Sequence, residues 1–124
     1  MSVLLDSSVV IDVLRANARA LAFVEAQSRS PFVSPMTLAE LHAGFLSRPD
    51  EKEGERVFGS LRLVKVDDLD IWRRAGQFMK HFGPSHGLDD MDALIAAVAE
   101  HHELKLATLN VKHFPMLKGL KRAY

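Results

Sequence analysis

Cysteine is absent from this chain of 124 residues, which excludes disulfides, zinc–thiolate sites and thiol nucleophiles. The motifs of several enzyme classes are missing as well, because the sequence contains no P-loop, no GxGxxG, no HExxH and no GxSxG. These absences argue against a nucleotide-binding loop, a zinc peptidase and a serine hydrolase.

Long apolar runs are also absent. The run over residues 93–99 is far too short to cross a bilayer. The amino terminus lacks the apolar stretch of a signal peptide, and Arg15 and Arg19 follow its apolar start instead of preceding it. With no cysteine to protect or oxidise, we expect a soluble cytoplasmic protein that makes no membrane contact.

The chain carries no excess of either charge, since 16 basic residues balance 16 acidic ones. Net charge therefore does not indicate a nucleic-acid-binding protein. The last twenty residues nevertheless carry only basic charges besides one histidine, at Lys105, Lys112, Lys118, Lys121 and Arg122. Such a segment suits a polyanionic ligand, and it equally suits a solvated edge whose lysines prevent aggregation.

Length and composition predict one folded domain over residues 1–124. The hydrophobic fraction of 48% and the charged fraction of 26% are ordinary for a globular protein. Strand patterns alternate with helical patterns along the chain, which predicts an α/β fold with a parallel sheet covered on both faces by helices. The predicted strands are residues 2–5, 31–35, 61–66 and 105–109, with a further edge strand at 120–123.

The helical patterns carry candidate start and stop signals. Ser7 or Ser8 is predicted to cap the first helix, and a second helix is predicted from Asn17. A third helix over residues 37–46 is predicted to end before Pro49, followed by a charged helix or lid over residues 50–60. The amphipathic helix that includes residues 71–82 is predicted to end at Gly83 and Pro84, and Asp89 is predicted to open the helix after it.

Three distant segments place an acidic residue beside an apolar run, at Asp6, Glu40 and Asp92. Carboxylates are seldom buried unless they are paired or bound to a metal, and several of them in one place repel each other without a cation. In a parallel sheet, ligands bind beyond the carboxyl ends of the strands, where Asp6 and Asn110 are expected. If the start of the helix at Asp89 folds over these strand ends, the acids form a pocket for Mg2+ or Mn2+ that hydrolyses a phosphodiester.

Each of these acids also has a purely structural interpretation. Asp6 is suitably placed to cap a helix, and the pattern Thr37-x-x-Glu40 matches a capping box. Asp89 and Asp92 fit a helix start, where carboxylates complement the helix dipole. Histidines offer a rival chemistry without a recognisable zinc spacing, and the best candidate among them is His113, just beyond Asn110.

Four segments together resemble the PIN-domain ribonucleases, and most closely the VapC-like toxins of prokaryotic toxin–antitoxin systems. The segments are LLDSSVVID at residues 4–12, TLAEL at 37–41, MDALIAA at 91–97 and LATLNVKHF at 106–114. They match the family in order and in spacing, and the resemblance covers essentially the whole chain.

The resemblance implies a three-layer α/β/α sandwich with a mainly parallel sheet. It also implies an endoribonuclease that depends on Mg2+ or Mn2+, uses metal-activated water and acts as the toxin of a toxin–antitoxin pair. The implied partners are RNA, a cognate antitoxin whose tail lies across the active-site groove, and a second copy in a homodimer. DNA is reached only indirectly, through the antitoxin.

By matching position, the implied metal-binding and catalytic triad is Asp6, Glu40 and Asp92. Asp89 and Asn110 are possible further ligands, although Asn110 is neutral where many members carry an acid, and His113 also stands where an acid is frequent. Ser8 matches a hydroxyl beside the first aspartate. As residues that bind the RNA backbone we predict Ser8, Arg15, Lys105 and Lys112.

Two other functions remain open at the level of sequence. A neutral residue at Asn110 is compatible with a catalytically weak module that binds RNA or an antitoxin without cutting. A phosphoacceptor signalling module has a similar length and fold, and it requires an aspartate at the end of a mid-chain strand, where Asp67 is available. The surroundings of Asp67 look more like a helix cap.

Overall fold

The computed structural model describes residues 2–124 and contains a four-stranded sheet. All strand pairs are parallel, and the order across the sheet is β3-β2-β1-β4. The strands are shorter than the sequence patterns indicate. They are β1 (Val3–Leu5), β2 (Phe32–Val33), β3 (Arg62–Leu63) and β4 (Lys105–Ala107).

Six helices connect and flank the strands. They are α1 (Ser7–Leu14), α2 (Ala18–Glu25), α3 (Pro35–Gly44), α4 (Arg48–Gly59), α5 (Leu69–His86) and α6 (Asp90–His101). A 3-10 turn, Val111–His113, follows β4. The predicted alternation of strands and helices, and the predicted helix start after Asn17, are confirmed.

Alternating side chains of β1 pack into two separate hydrophobic cores, one on each face of the sheet. Leu4 belongs to the core formed with α5 and α6, whereas Val3 and Leu5 belong to the core formed with α1, α2 and α4. This division follows from the two-residue period of a strand, which points successive side chains to opposite faces. The α/β/α sandwich expected from the sequence is therefore confirmed.

The sheet has one topological switch point, between β1 and β4. From the central strand β1 the chain proceeds to β2 and β3 on one side, and it later returns to place β4 on the other side. The backbone N–H of Asp6 donates to the carbonyl of Ala107 at 2.9 Å, so the two chain exits lie side by side. The crevice at these carboxyl ends is where a parallel sheet of this kind binds ligands.

Two predicted helix caps are wrong. Asp6 occupies the cap position of α1, and Ser7 and Ser8 lie inside the helix. Ser34 caps α3, because its hydroxyl accepts from the N–H of Met36 at 3.0 Å, so Thr37 lies inside the helix and forms no capping box with Glu40. Pro35 sits in the first turn of α3, where a missing N–H costs nothing, and this allows the helix to start earlier than predicted.

Two proline boundaries also differ from the prediction. Helix α3 ends at Gly44, and Pro49 lies in the first turn of α4 instead of stopping the preceding helix. Helix α5 continues through Gly83 and Pro84 as far as His86. It ends at Gly87, whose positive φ of 61° is the left-handed conformation in which helices commonly terminate.

The predicted edge strand at residues 120–123 does not form. The carboxyl-terminal segment is irregular but tied down, because the N–H of Ala123 donates to the carbonyl of Thr108 at 2.9 Å. The phenol of Tyr124 also donates to a carboxylate oxygen of Asp12 at 2.7 Å. Across residues 2–124, none of the helices is both long enough and apolar enough to span a membrane.

Candidate active site

Asp6 lies at the carboxyl end of β1 and is almost completely buried, with 4% of its surface exposed. Its Oδ2 accepts hydrogen bonds from the hydroxyl of Ser8 at 3.0 Å and from that of Thr108 at 2.7 Å. In the part of the chain that the structure describes, no hydrogen bond ends on its Oδ1. Ser8 and Thr108 therefore hold Oδ2 of Asp6 from the two sides of the crevice. Oδ1 is left for a ligand.

The two hydroxyls that hold Asp6 are themselves fixed by the backbone after β4. The N–H of Leu109 donates to the Ser8 hydroxyl at 3.1 Å, and the N–H of Asn110 donates to the Thr108 hydroxyl at 3.0 Å. Each hydroxyl thus accepts from a backbone N–H and donates its proton to Asp6. Ser8, predicted as a substrate-binding residue, lies in the crevice and has its proton committed to the carboxylate.

Glu40 projects from α3 on its solvent-facing side. Its pKa is raised above the ordinary value, first by partial burial and then by the negative charges of Asp6, Asp92 and Asp89. Charges that raise a pKa in this way must be close in space, since exposed charges beyond about 10 Å are screened. The negative charges of the aspartates from β1 and α6 therefore act on the Glu40 carboxylate.

Asp92 lies in the first turn of α6, whose cap is Asp89 accepting from the N–H of Met91 at 2.9 Å. The side chain of Asp92 is 19% exposed, and its Oδ2 lies 3.3 Å from Nδ1 of His113. The pKa of Asp92 is raised to about 6, chiefly by burial; His113 lowers it, and the negative charges of Asp89 and Asp6 add to the rise.

These geometries answer the topological question that the sequence left open. The start of α6 does reach the strand ends, because Oδ2 of Asp92 lies 3.3 Å from Nδ1 of His113 in the 3-10 turn after β4. Within residues 2–124, however, no three His, Asp or Glu side chains are already arranged around a single ion position.

The donor set itself fits a hard divalent cation. Its carboxylates are oxygen ligands, as Mg2+ and Mn2+ prefer, and Oδ1 of Asp6 is available. Their mutual repulsion is the kind of unfavourable interaction that a cation relieves. The residues present are thus chemically suited to the metal that the resemblance implies.

The remaining predicted site residues divide between the two ends of the sheet. Asn110 and Lys112 are exposed in and before the 3-10 turn beyond β4, close to Thr108. Arg15 is the exposed residue that ends α1, and it lines a groove together with Glu40. Lys105 begins β4, so the structure places it at the opposite, amino-terminal end of the sheet from the acids.

The groove beside Glu40 has a volume of about 400 Å3. It lies between α1, α3 and the start of α4, and both apolar and charged side chains line it. Its lining residues are Ile11, Leu14, Arg15, Glu40, Leu41, Gly44, Phe45, Asp50 and Glu53.

Sequence reasoning missed Thr108 as a site residue. It is fully buried and donates the shorter of the two hydrogen bonds to Asp6. Its position was informative, since Thr108 follows β4 as Asp6 follows β1. A polar residue directly after each strand of a switch point is the signal that identifies it. Asp67, by contrast, precedes Asp68, whose side chain caps α5, so a helix boundary accounts for this acidic pair.

Residues 3–116 match the family model of the PIN domain. The chain is 38% identical over 122 residues to the ribonuclease VapC10 of Mycobacterium tuberculosis, covering 96% of this chain and 90% of that protein. It is 34% identical over 125 residues to the ribonuclease VapC19 of the same species, covering 98% of each.

Solved structures with the same fold include a toxin–antitoxin complex from Klebsiella pneumoniae. That chain superposes with a TM-score of 0.83 at 25% identity, covering 99% of this chain and 98% of the other. A chain of the DNA-bound VapBC complex from Salmonella typhimurium superposes with a TM-score of 0.78 at 19% identity, covering 98% and 96%. At that level of identity the second likeness supports the fold alone.

Proposed function

Since this chain belongs to the PIN-domain family, we propose that it is a metal-dependent endoribonuclease and the toxin of a toxin–antitoxin pair. Residues 1–124 then form a single nuclease domain. The observation that carries the proposal is the placement of Asp6 and Asp92 at the switch point of the sheet, where Asp6 is held by Ser8 and Thr108 and Asp92 lies beside His113. Relatives at 34% and 38% identity that are named ribonucleases support RNA as the substrate.

The catalytic triad of this proposal is Asp6, Glu40 and Asp92, which would also hold Mg2+ or Mn2+. Asp89 and Asn110 lie at its edge as possible further ligands. When bound, such a cation offsets the charge of a phosphate and lowers the pKa of a water molecule toward neutrality, so that no protein nucleophile is required.

Neighbouring residues orient Asp6 and supply positive charge around the triad. Ser8 and Thr108 fix Oδ2 of Asp6, which directs Oδ1 toward the crevice. The 3-10 turn presents Lys112 as a cation for the RNA backbone, and Arg15 takes the same role beside Glu40. Lys105 has no part in this site, because it lies at the far end of the sheet.

The groove next to Glu40 suits an antitoxin segment. Its lining combines apolar side chains with the carboxylates of Glu40, Asp50 and Glu53, so a peptide with apolar side chains and one basic residue is complementary to it. The relative of known structure from Klebsiella pneumoniae was solved as a toxin–antitoxin complex. We extend the proposal to a homodimer in the cytoplasm that contacts DNA only through the antitoxin.

Cleavage of a fluorescent RNA by the purified chain tests the proposal. We expect cleavage with Mn2+ or Mg2+, none with EDTA, and loss of at least about a hundredfold in rate for Asp6→Asn and Asp92→Asn. Asp90→Asn is the matched control, since Asp90 is exposed in the same turn of α6 and is not among the charges that raise the pKa of Glu40 or Asp92. Full activity of Asp6→Asn, or cleavage that persists in EDTA, would refute the proposal.

The same experiment distinguishes a nuclease from a domain that binds RNA without cutting it. If the wild-type chain binds RNA with either metal but never cuts it, the domain is a binding module. Cleavage that responds to metal and to the two aspartates excludes that alternative.

A further inference from the structure

The carboxyl-terminal segment, residues 120–124, crosses the edge of the sheet at the end of β4 and contacts both cores. Leu120 packs against the core formed with α5 and α6, whereas Ala123 and Tyr124 pack against the core formed with α1, α2 and α4. Strand β4 is an edge strand, because it is last in the order β3-β2-β1-β4. The N–H of Ala123 donates to the carbonyl of Thr108 at 2.9 Å. The segment therefore covers the point where this edge strand meets the acidic crevice.

The side chain of Tyr124 joins this segment to the first two helices. Its phenol donates to Oδ2 of Asp12 in α1 at 2.7 Å, and its ring lies against that of Phe23 in α2, with the ring centroids 5.9 Å apart. Burial, and then the hydrogen bond to Asp12, raise the pKa of the phenol. The phenol therefore stays protonated at neutral pH and remains a donor.

These contacts reach both of the hydroxyls that hold Asp6. Thr108, whose carbonyl accepts from Ala123, donates its hydroxyl proton to Oδ2 of Asp6 at 2.7 Å. Asp12 lies one helical turn after Ser8 on the same side of α1, and the Ser8 hydroxyl donates to the same oxygen of Asp6 at 3.0 Å. One segment of the chain is thus bonded to the two elements that form the sides of the crevice.

We infer that Tyr124 is a positioning residue, which holds α1 against the end of β4 so that two hydroxyls converge on Asp6. The inference rests on the proposed nuclease function. Pairing of β1 with β4 fixes Asp6 relative to Thr108, but the direction in which α1 leaves β1 decides where Ser8 lies. The hydroxyl oxygens of Ser8 and Thr108 are 3.5 Å apart, and movement of α1 away from β4 would separate them. The bond from Tyr124 to α1 opposes that movement.

Steady-state cleavage of a fluorescent RNA by the purified full-length chain tests the inference. Tyr124→Phe removes the phenol oxygen and keeps the ring against Phe23. We expect kcat to fall by about tenfold, the lower end of the range for residues that orient a catalytic ligand, with KM changed by less than about twofold. Asp12→Asn should keep the wild-type kcat, because its amide oxygen still accepts the phenol proton.

Asp12→Ala removes the same hydrogen bond from its other side, and alanine favours helix α1, so this variant is expected to fold. It should lower kcat as Tyr124→Phe does, and the double variant should lose no more than either single variant. Ser60→Ala is the matched control. The Ser60 hydroxyl donates to the carbonyl of Val57 at 2.6 Å, at the end of α4 that leads into β3, so its loss removes a hydrogen bond at the opposite end of the sheet from the crevice. That variant should keep the wild-type kcat.

Amide hydrogen exchange of the metal-free chain gives a readout that does not depend on activity. The N–H groups of Leu109 and Asn110 donate to the hydroxyls of Ser8 and Thr108 at 3.1 and 3.0 Å, respectively. In Tyr124→Phe these two amides should exchange faster than in the wild type, because the hydroxyls that accept from them are no longer held in place. Amides within α5, on the other face of the sheet, should exchange at the wild-type rate.

The failure of this inference can be told apart from the failure of the proposed function. Wild-type kcat together with wild-type exchange of the Leu109 and Asn110 amides in Tyr124→Phe overturns the positioning role and leaves the nuclease intact. An equal fall of kcat in Ser60→Ala also overturns it, because activity would then follow overall stability. A wild-type chain that binds RNA but never cuts it overturns the nuclease, and exchange of the two amides still decides whether Tyr124 positions the crevice.

Discussion

Thr108 donates its hydroxyl proton to Oδ2 of Asp6 across 2.7 Å, although 102 residues separate the two in sequence. The hydrogen bond crosses the switch point of the sheet, where β1 and β4 end side by side. It joins the first acid of the candidate triad to the segment after β4 that carries Asn110 and His113. One contact therefore connects the fold to the geometry of the site.

Removing this donor should weaken both stability and activity. Thr108→Val keeps the volume but leaves a buried carboxylate with one hydroxyl donor instead of two. We expect the free energy of unfolding to fall by about 1.5–3 kcal/mol, the range for hydrogen bonds to charged groups, and RNA cleavage to fall about tenfold or more. Urea denaturation and cleavage assays measure the two effects.

Thr108→Ser is the control, because serine keeps the hydroxyl and loses only a methyl group. It should retain most of the activity. Equal losses in the valine and serine variants would show that packing, and not the donor, is what matters at this position.

Substitution of Asp6 should separate charge from hydrogen bonding. Asp6→Asn keeps an oxygen acceptor for Ser8 and Thr108 but removes a charge that raises the pKa of both Glu40 and Asp92. We expect stability at pH 7 to be unchanged or higher by up to about 1 kcal/mol, with a lower pKa for Glu40 in an NMR titration.

Asp6→Ala is the comparison, since it leaves both hydroxyls without their acceptor. It should lose about 1–3 kcal/mol of unfolding free energy. A pKa of Glu40 that is identical in wild type and Asp6→Asn would contradict the proximity of the two carboxylates.

The raised pKa of Asp92 predicts a particular dependence of stability on pH. Its ordinary value is 3.8, and burial first of all raises it to about 6 in the folded chain. Between these values the folded state binds more protons at Asp92 than the unfolded state does, so the free energy of unfolding falls as pH rises through this window. Below about 3.8 the carboxyl is protonated in both states, and above about 6 the full penalty is present.

Asp92→Asn removes that penalty without adding a charge. As pH rises from about 4 to 7, the free energy of unfolding of the variant should therefore increase relative to that of the wild type. We expect a difference on the order of 1 kcal/mol once solvent screening is considered. Thermal unfolding of both proteins across this range, without divalent ions, gives the difference. The stability of Asp90→Asn should follow that of the wild type, and a similar gain there would assign the effect to repulsion among the acids at the start of α6 and not to the burial of Asp92.

The position of the acids could largely be predicted from sequence, because it depends on local pattern. A short apolar run ending at Asp6 identifies a strand end, and the parallel topology brings the ends of β1 and β4 together. The position of the first turn of α6 was harder to predict, because the direction in which Asp92 points depends on how the helix packs across the sheet.

Several details could not be predicted because they depend on distant contacts. The contact between His113 and Asp92 joins a turn to a helix, and neither segment contains a signal for the other. The length of α5 was underestimated because Pro84 is exposed in the last turn, where water can hydrate the carbonyl that loses its partner. The positive φ of Gly87, not the proline, ends that helix.

Gly54 supports the groove beside Glu40 through its lack of a side chain. It is buried within α4, and a Cβ added there would overlap the ring of Phe45, which lines the groove. Alanine in a helix interior ordinarily gains about 0.5–1 kcal/mol over glycine. At Gly54 this gain is opposed by displacement of an aromatic ring, which typically costs about 1–3 kcal/mol.

Gly54→Ala should therefore lower the free energy of unfolding by about 1 kcal/mol and push Phe45 into the groove. Gly76→Ala is the matched control, because Gly76 lies inside α5 with nothing within 4 Å of the added Cβ. That variant should be more stable by up to about 1 kcal/mol. Chemical denaturation of the two variants measures both effects. An equal increase in the free energy of unfolding at both positions would mean that Phe45 moves aside at no cost and does not define the groove.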